Sequence, residues 1–191
     1  LSVEDTLDHF DTMVAQVRPQ LTPDMHAHLS SVRRSVAEVL PRLVGARSDS
    51  LTVGTFHAFC ALLLRRDGSV LGLPSNYTIY DAEDQLGLLK QAMDLAEVDP
   101  KRNPPQAVRG VISRAKSVLL DAQGLAQQRR NPFEEICARV YYHYEELLAR
   151  NNAVDFDDLL MRAVQLLQEH PEVREKYQDR YLHVMVDEFQ D

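Results

Sequence analysis

Two carboxylates follow an apolar run near the end of this 191-residue chain and offer its clearest possibility for chemistry. Asp187 and Glu188 come directly after Val184, Met185 and Val186. Such a run is typical of a strand buried in a parallel sheet, and ligands of open α/β sheets bind where the strands end. One carboxylate there can hold Mg²⁺ while its neighbour orients a water for attack on a phosphate. A strand that merely ends in two acids is the other interpretation.

Two further segments bear on whether Asp187 and Glu188 form a phosphate site. Residues 51–60 read LTVGTFHAFC, a β-type run that turns into a helix at Thr55, and residues 152–160 read NAVDFDDLL. With VDEFQD at 186–191, these segments resemble, in order and separation, three motifs of the UvrD/Rep/PcrA group of superfamily I DNA helicases. The resemblance covers residues 32–191 and is strongest after Leu51.

The resemblance implies a mainly α-helical fold, in which a helical accessory subdomain joins two or so short parallel strands from an incomplete α/β, RecA-like motor domain. It assigns residues 1–50 to a helical N-terminal segment and residues 51–66 to a motor strand and helix. Residues 67–178 become a helical DNA-binding insertion, and residues 179–191 become a second motor strand.

Caps and apolar periodicity predict the helices independently. Asp81, Asp121 and Asp155 are suited to begin helices, as are the prolines after Asn131 and at Pro171. Pro104–Pro105 opens one more helix, and two helices are expected within residues 1–50. The region between the two β-type runs is therefore expected to be helical.

Roles for the terminal segment come from the resemblance. Asp187 would help to bind Mg²⁺, Glu188 would activate the hydrolytic water, and Gln190 would sense the γ-phosphate of ATP or couple it to DNA. These roles agree with what phosphoryl transfer needs, which is charge compensation and an in-line water. ATP and Mg²⁺ are expected in the full-length protein, and neither is expected to be bound to this segment alone.

The resemblance also implies DNA contacts. Thr55, Phe56 and His57 match a segment that lies along single-stranded DNA, although Phe56 and Phe59 could equally be core anchors. Residues 112–117, ISRAKS, resemble an "ISxAKN" segment that approaches duplex DNA at a fork, which makes Arg114 and Lys116 candidates for DNA binding. Ser117 replaces the usual asparagine, so one polar contact is in doubt.

Charge is distributed unevenly along the chain. The net charge is −8, although phosphate contacts need lysine and arginine. Residues 101–130 nevertheless carry seven basic side chains and one acidic one, whereas 14 of the 29 acids lie from Glu134 onwards. This asymmetry allows one face to hold nucleic acid, and an ordinary solvated helical surface is the alternative.

A glycine-rich phosphate loop of the form GxxxxGK[ST] is not present in the sequence. We therefore expect this chain alone to be inactive in ATP hydrolysis and to need the rest of a helicase, including a second motor domain. Excision from a larger protein and a divergent or split parent are both compatible with this.

By resemblance, the parent would move 3′ to 5′ on single-stranded DNA and unwind forked or duplex DNA in repair or replication. One alternative is the helicase half of an AddA/RecB-type helicase–nuclease. Another is a non-catalytic helicase remnant that binds DNA or a protein.

Other classes of site find little support. Cys60 and Cys137 lack metal-site spacing and are expected to be reduced. Asp155, Asp157 and Asp158 are expected to support a helix N-terminus rather than bind a metal. Since no membrane-spanning run or signal peptide is evident, the predicted location is cytoplasmic.

Overall fold

Helices dominate the fold. The computed structural model describes residue 52, residues 54–128 and residues 131–186, so the helices predicted within residues 1–50 lie outside it. The helices are α1 (Phe56–Asp67), α2 (Ala82–Leu95), α3 (Pro105–Ser117), α4 (Ala122–Gln128), α5 (Pro132–Arg150), α6 (Phe156–Glu169) and α7 (Pro171–Arg180). A 3-10 turn, Gly68–Leu71, follows α1. No helix among the described residues is long and apolar enough to cross a membrane. The predicted mainly helical class is confirmed.

Side-chain caps begin several helices where the sequence predicts them. Asp81 and Asp155 each form a capping box with the acid three residues later, at the starts of α2 and α6. The Asn131 side chain accepts a hydrogen bond from the Glu134 amide at 2.9 Å and begins α5, the 19-residue helix. These caps satisfy amides that have no partner within the helix, which is why the helix starts could be read from the sequence.

Two short strands pair in parallel. They are β1 (Thr78–Ile79) and β2 (Ala153–Val154), with Thr78 opposite Ala153 and Ile79 opposite Val154. The Tyr80 amide donates to the Val154 carbonyl at 2.8 Å and extends this pairing by one bond. The segment that contains α2 to α5 therefore begins and ends at neighbouring positions, because β1 precedes it and β2 follows it.

The parallel pair is not the pair predicted for a motor sheet. Residues 181–186 form no strand, and Leu182, Val184 and Met185 are 79%, 76% and 96% exposed. Residues 52, 54 and 55 are also outside any strand. For the described residues, the expectation of buried strands before α1 and at residues 182–186 is wrong. A strand needs a neighbouring strand to pair with, and no other described segment supplies one at either place.

The buried apolar side chains form two clusters. The first, the insert core, lies among α2, α3, α4 and α5. Its larger members are Leu89, Met93, Val108, Ile112, Val140, Tyr141, Tyr144 and Leu148. The second, the α1–α6 core, lies among α1, the 3-10 turn, α6 and α7. Its larger members are Leu63, Leu64, Leu73, Tyr77, Leu159, Leu166, Val173 and Tyr177.

The two cores meet at the start of α6. Ala153 belongs to the insert core, and the next residue, Val154, belongs to the α1–α6 core. Helices α6 and α7 therefore share their core with α1, although the predicted insertion at 67–178 included nearly all of their residues. Strands β1 and β2 bring together the ends of the segment that contains α2 to α5, and the predicted bounds of the insertion stay a prediction.

Leu119 follows α3 in a left-handed conformation, with φ of 61°. Its amide donates to the Lys116 carbonyl at 2.9 Å and closes the helix end, a position that favours glycine. We expect Leu119→Gly to raise the free energy of unfolding by about 1 kcal/mol, because the strain of a side chain at positive φ is removed. Urea denaturation would measure this.

Val118→Gly is the matched control for that change. Val118 is 61% exposed but has a negative φ of −108°, so glycine there gains no relief and adds flexibility to the unfolded chain. This control is expected to lower the stability. Equal effects of the two glycines would contradict the assignment of strain to Leu119.

Candidate functional site

The segment Thr55–His57 forms the N-terminus of α1. Thr55 is exposed, and its hydroxyl accepts a hydrogen bond from the Ala58 amide at 3.2 Å. The first turn of the helix carries no acidic side chain. A helix N-terminus presents amides and a partial positive charge, so this end of α1 is electrostatically suited to a phosphate.

The two phenylalanines of this segment differ in exposure. Phe56 is 60% exposed, so its ring is available to stack on a base. Phe59 is half-buried, and its ring meets the edge of Tyr181 at 5.4 Å. Of the two interpretations left open by the sequence, the structure favours stacking for Phe56 and core anchoring for Phe59.

His57 is half-buried and lies against α6. Its ring meets Phe156 edge to face, with the ring centroids 5.5 Å apart. Burial lowers the pKa of His57, and the nearby Asp157 carboxylate counteracts this only in part. The imidazole is therefore mainly neutral at pH 7, and a phosphate contact would use its N–H as a donor rather than a full charge.

Tyr181 brings the two predicted motor segments together. Its hydroxyl lies 3.0 Å from the Thr52 hydroxyl, and its ring contacts Phe59. Thr52 belongs to the run that precedes α1, and Tyr181 immediately precedes the apolar run of residues 182–186. The two runs are therefore neighbours at their described ends, and the described residues of these runs lie outside any strand.

Lys116 does not lie on the surface, and its predicted DNA contact is inconsistent with the structure. Only 1% of the residue is exposed, and its ammonium donates to Asp155 Oδ2 at 2.8 Å and to Asp158 Oδ1 at 2.7 Å. Helix α3 turns this side chain towards the start of α6, where both carboxylates are held by the capping box. The lysine side chain is fully enclosed, with 0% of its surface exposed.

Tyrosines complete the surroundings of this buried ion cluster, which we define as Lys116, Asp155, Asp158 and Tyr144. The Tyr144 hydroxyl donates to Asp155 Oδ2 at 3.0 Å, and the ammonium lies 5.2 Å from the centre of the Tyr144 ring. Burial alone lowers the pKa of Lys116, but Asp158 and Asp155 more than compensate and raise it. The lysine therefore remains charged at neutral pH.

The acidic residues around α6 act structurally. Asp155 and Asp158 exchange hydrogen bonds with each other's backbone amides at 2.8 and 3.1 Å, as a capping box does. Among the described residues, no group of three or more histidine, cysteine or acidic side chains is arranged to hold a metal ion. The expectation of a helix-supporting role for Asp155 and Asp158 is confirmed.

Arg114 remains a candidate for DNA binding because its side chain is exposed on α3. Lys101 and Arg102 are exposed beyond the other end of this helix, and Arg102 lies 3.8 Å from Asp99. Arg129 and Arg130 lie outside the described residues. Ser117 uses its hydroxyl locally, donating to the Arg114 carbonyl at 2.8 Å. The exposed basic surface in the described chain is thus smaller than the sequence predicts.

The candidate catalytic residues Glu188 and Gln190 and the candidate Mg²⁺ ligand Asp187 also lie outside the described residues. The described cysteines are buried, and burial raises the pKa of both Cys60 and Cys137 to about 11. Both thiols are therefore protonated at neutral pH, in keeping with structural rather than reactive roles.

Comparisons with known proteins agree with the motif pattern. The family model of the UvrD/REP helicase N-terminal domain matches residues 20–191. The chain is 34% identical over 158 residues to the ATP-dependent DNA helicase PcrA of Bacillus subtilis, covering 83% of this chain and 21% of the relative. It is 35% identical over 167 residues to PcrA of Leuconostoc citreum, covering 85% and 22%. The chain thus spans about a fifth of the length of the curated relatives it matches.

Proposed function

Because this chain belongs to the UvrD/REP helicase family, we propose that it is part of an ATP-dependent DNA helicase that moves 3′ to 5′ and unwinds forked or duplex DNA in repair or replication. The contact of Tyr181 with both Thr52 and Phe59 carries this proposal. It supports a common site for the DNA segment at Thr55 and the acidic segment after Val186.

The ATP-directed part of the proposal concerns the acidic segment. Asp187 would hold Mg²⁺, Glu188 would orient and deprotonate the attacking water, and Gln190 would respond to the γ-phosphate. Carboxylate oxygens suit Mg²⁺, but the sequence supplies no glycine-rich loop for the phosphates. We therefore propose that this chain alone is inactive in ATP hydrolysis and that other parts of the parent, including a second motor domain, complete the site.

The DNA-directed part concerns two surfaces. The first is the N-terminus of α1, where Thr55 and the helix amides would contact phosphate and Phe56 would stack on a base of single-stranded DNA. His57 would donate its N–H to the backbone. The second is the exposed side chain of Arg114 on α3, which would contact the duplex. Lys116 is not part of either surface, because it is buried.

Binding by the purified 191-residue chain tests this function. We expect Phe56→Ala to weaken single-stranded DNA binding about tenfold, because one stacking contact is lost. We expect Arg114→Ala to weaken duplex binding and to reduce the slope of log affinity against log salt by about one unit, because one phosphate contact is lost. Fluorescence anisotropy titrations at several salt concentrations measure both.

Arg139→Ala is the matched control for Arg114→Ala. Arg139 is also an exposed arginine, but it borders a groove with Leu95 and Glu97 rather than lying on α3. Its removal is expected to leave duplex affinity and the salt slope almost unchanged. If both arginines had the same effect, binding would reflect overall charge and the proposed α3 surface would be wrong.

A further inference from the structure

The buried ion cluster lies where the two cores of the molecule meet. Lys116 comes from α3, whose apolar residues line the insert core, whereas Asp155 and Asp158 come from the start of α6. From Leu159 onwards, the apolar side of α6 belongs to the α1–α6 core. The cluster therefore joins a helix of one core to a helix of the other.

A continuous series of contacts runs from this cluster to each proposed DNA surface. On one side, Arg114 lies two residues before Lys116 on the same helix. On the other side, Phe156 directly follows Asp155, and its ring contacts His57 at 5.5 Å between centroids. The cluster thus lies between the duplex-facing residue of α3 and the single-strand-facing end of α1.

An ionic cluster constrains the two helices in a way that apolar packing does not. A buried ion pair adds little net stability over apolar residues of the same shape, because the desolvation of the charges offsets their attraction. Its hydrogen bonds, however, are directional. Two bonds of 2.7 and 2.8 Å from one ammonium fix both the rotation and the axial position of α3 against α6. A third bond, from Tyr144 to Asp155, holds α5 to the same carboxylate.

We propose that Lys116 is a positioning residue that sets the distance and orientation between the two DNA surfaces. It does not touch DNA. By holding α3 against the start of α6, it keeps Arg114 and the segment Thr55–His57 in the geometry of a fork, where one duplex continues into one single strand. This inference rests on the proposed function, because it assigns a role between the two proposed contacts.

The physical consequence is cooperation between the two contacts. When two surfaces are held at the spacing of their ligand, the second contact forms at a high effective concentration once the first has formed. A tailed duplex should therefore bind more tightly than either a single strand or a blunt duplex. We define the fork advantage as the affinity for the tailed duplex divided by the affinity for the single strand.

The experiment measures this ratio for the 191-residue chain and its Lys116→Met variant, by anisotropy with a single strand, a blunt duplex and a tailed duplex. We expect the variant to lose about tenfold in fork advantage while its affinity for each simple DNA stays within about twofold, because each surface persists but their spacing is no longer fixed. A variant that loses affinity equally for all three DNAs, or keeps the fork advantage, would overturn the proposal.

Lys176→Met is the matched control. Lys176 also pairs with a carboxylate, Asp67, at 2.7 Å, but the lysine side chain is 55% exposed and the pair joins α7 to α1 within one core. The same charge is removed, so a general effect of charge on DNA binding would appear in both variants. We expect the control to keep the full fork advantage.

Phe156→Leu provides a second test if Lys116→Met does not fold, as judged by circular dichroism. It removes the ring contact to His57 but leaves the ion cluster in place, and a smaller loss of fork advantage, about threefold, is expected. If the unchanged chain binds none of the three DNAs, the proposed function itself is wrong. If it binds them and neither folded variant loses fork advantage, the positioning role alone is wrong.

Discussion

Replacing Lys116 with methionine is expected to lower the free energy of unfolding by about 3–5 kcal/mol at pH 7, because Asp155 and Asp158 then remain buried without a cation. Methionine has a similar length, so little cavity forms and the loss comes mainly from the uncompensated charge. Urea denaturation of the 191-residue chain measures the change. The pair of Lys176 with Asp67, in which the lysine is exposed, provides the reference, since Lys176→Met should cost at most about 1 kcal/mol.

The loss of unfolding free energy in Lys116→Met should become smaller as the pH falls. Burial and the neighbouring Asp158 charge raise the pKa of Asp155, whereas the Lys116 ammonium and the hydrogen bond from the Asp158 amide lower it. Removing the lysine therefore raises the folded-state pKa further above its unfolded value. As the pH falls, Asp155 is then protonated in the folded state at a higher pH than in the unfolded state. The variant therefore regains free energy of unfolding as the pH falls towards the raised pKa.

The measurement is the difference in unfolding free energy between the variant and the unchanged chain at about pH 8, 7, 6 and 5. We expect the difference to be largest at the highest pH and to narrow as the pH decreases. A difference that stays constant over this range would mean that lost packing, rather than a buried charge, causes the destabilisation.

Replacing Glu188 with glutamine in a full-length protein that contains this segment is expected to lower DNA-stimulated ATP hydrolysis by about 10²- to 10⁴-fold. Glutamine has nearly the same shape but cannot accept the proton of the attacking water. Phosphate release under saturating ATP and DNA measures the rate. DNA affinity should remain within about twofold, because Glu188 is not among the residues proposed to contact DNA.

Glu175→Gln is the matched control for this prediction. Glu175 is an exposed glutamate on α7, and the same change there removes the same charge without touching the acidic segment. Its ATPase rate should stay near that of the unchanged protein. A Glu188→Gln variant that retains more than a tenth of the activity would argue against general-base catalysis by Glu188.

Local chemistry explains what the sequence predicts well. Asp81, Asn131 and Asp155 begin helices because their side chains satisfy amides only a few residues away. Such signals need no knowledge of distant residues. The same holds for the helix-supporting role of Asp158, which follows from its place three residues after the cap.

Lys116 could not be assigned from local chemistry, because its partners lie 39 and 42 residues away in sequence. A signal was nevertheless present. Val108, Ile112 and Lys116 follow one another at intervals of four, which places the lysine on the buried side of α3. A lysine on an apolar stripe needs a buried carboxylate, and NAVDFDDLL supplies two.

The strands could not be predicted from local composition either. Val184 and Val186 have the composition of a buried strand, but a strand in a sheet needs a neighbour, and the described residues provide none there. Thr78–Ile79 and Ala153–Val154 are short and weakly patterned, yet they pair because the two cores bring them together. Strand composition alone therefore does not determine pairing.

The parallel register of Thr78 with Ala153 has a consequence for exchanging parts between relatives. The two ends of the segment between these residues lie side by side in the parallel pair. The corresponding helical segment of a relative could therefore replace it through two junctions that are adjacent in space. Such a graft would succeed only if the incoming segment carried a basic side chain matched to the recipient's two aspartates. Compatibility of the segment would thus depend on the internal side chains that meet these aspartates, Lys116 and Tyr144, rather than on its surface.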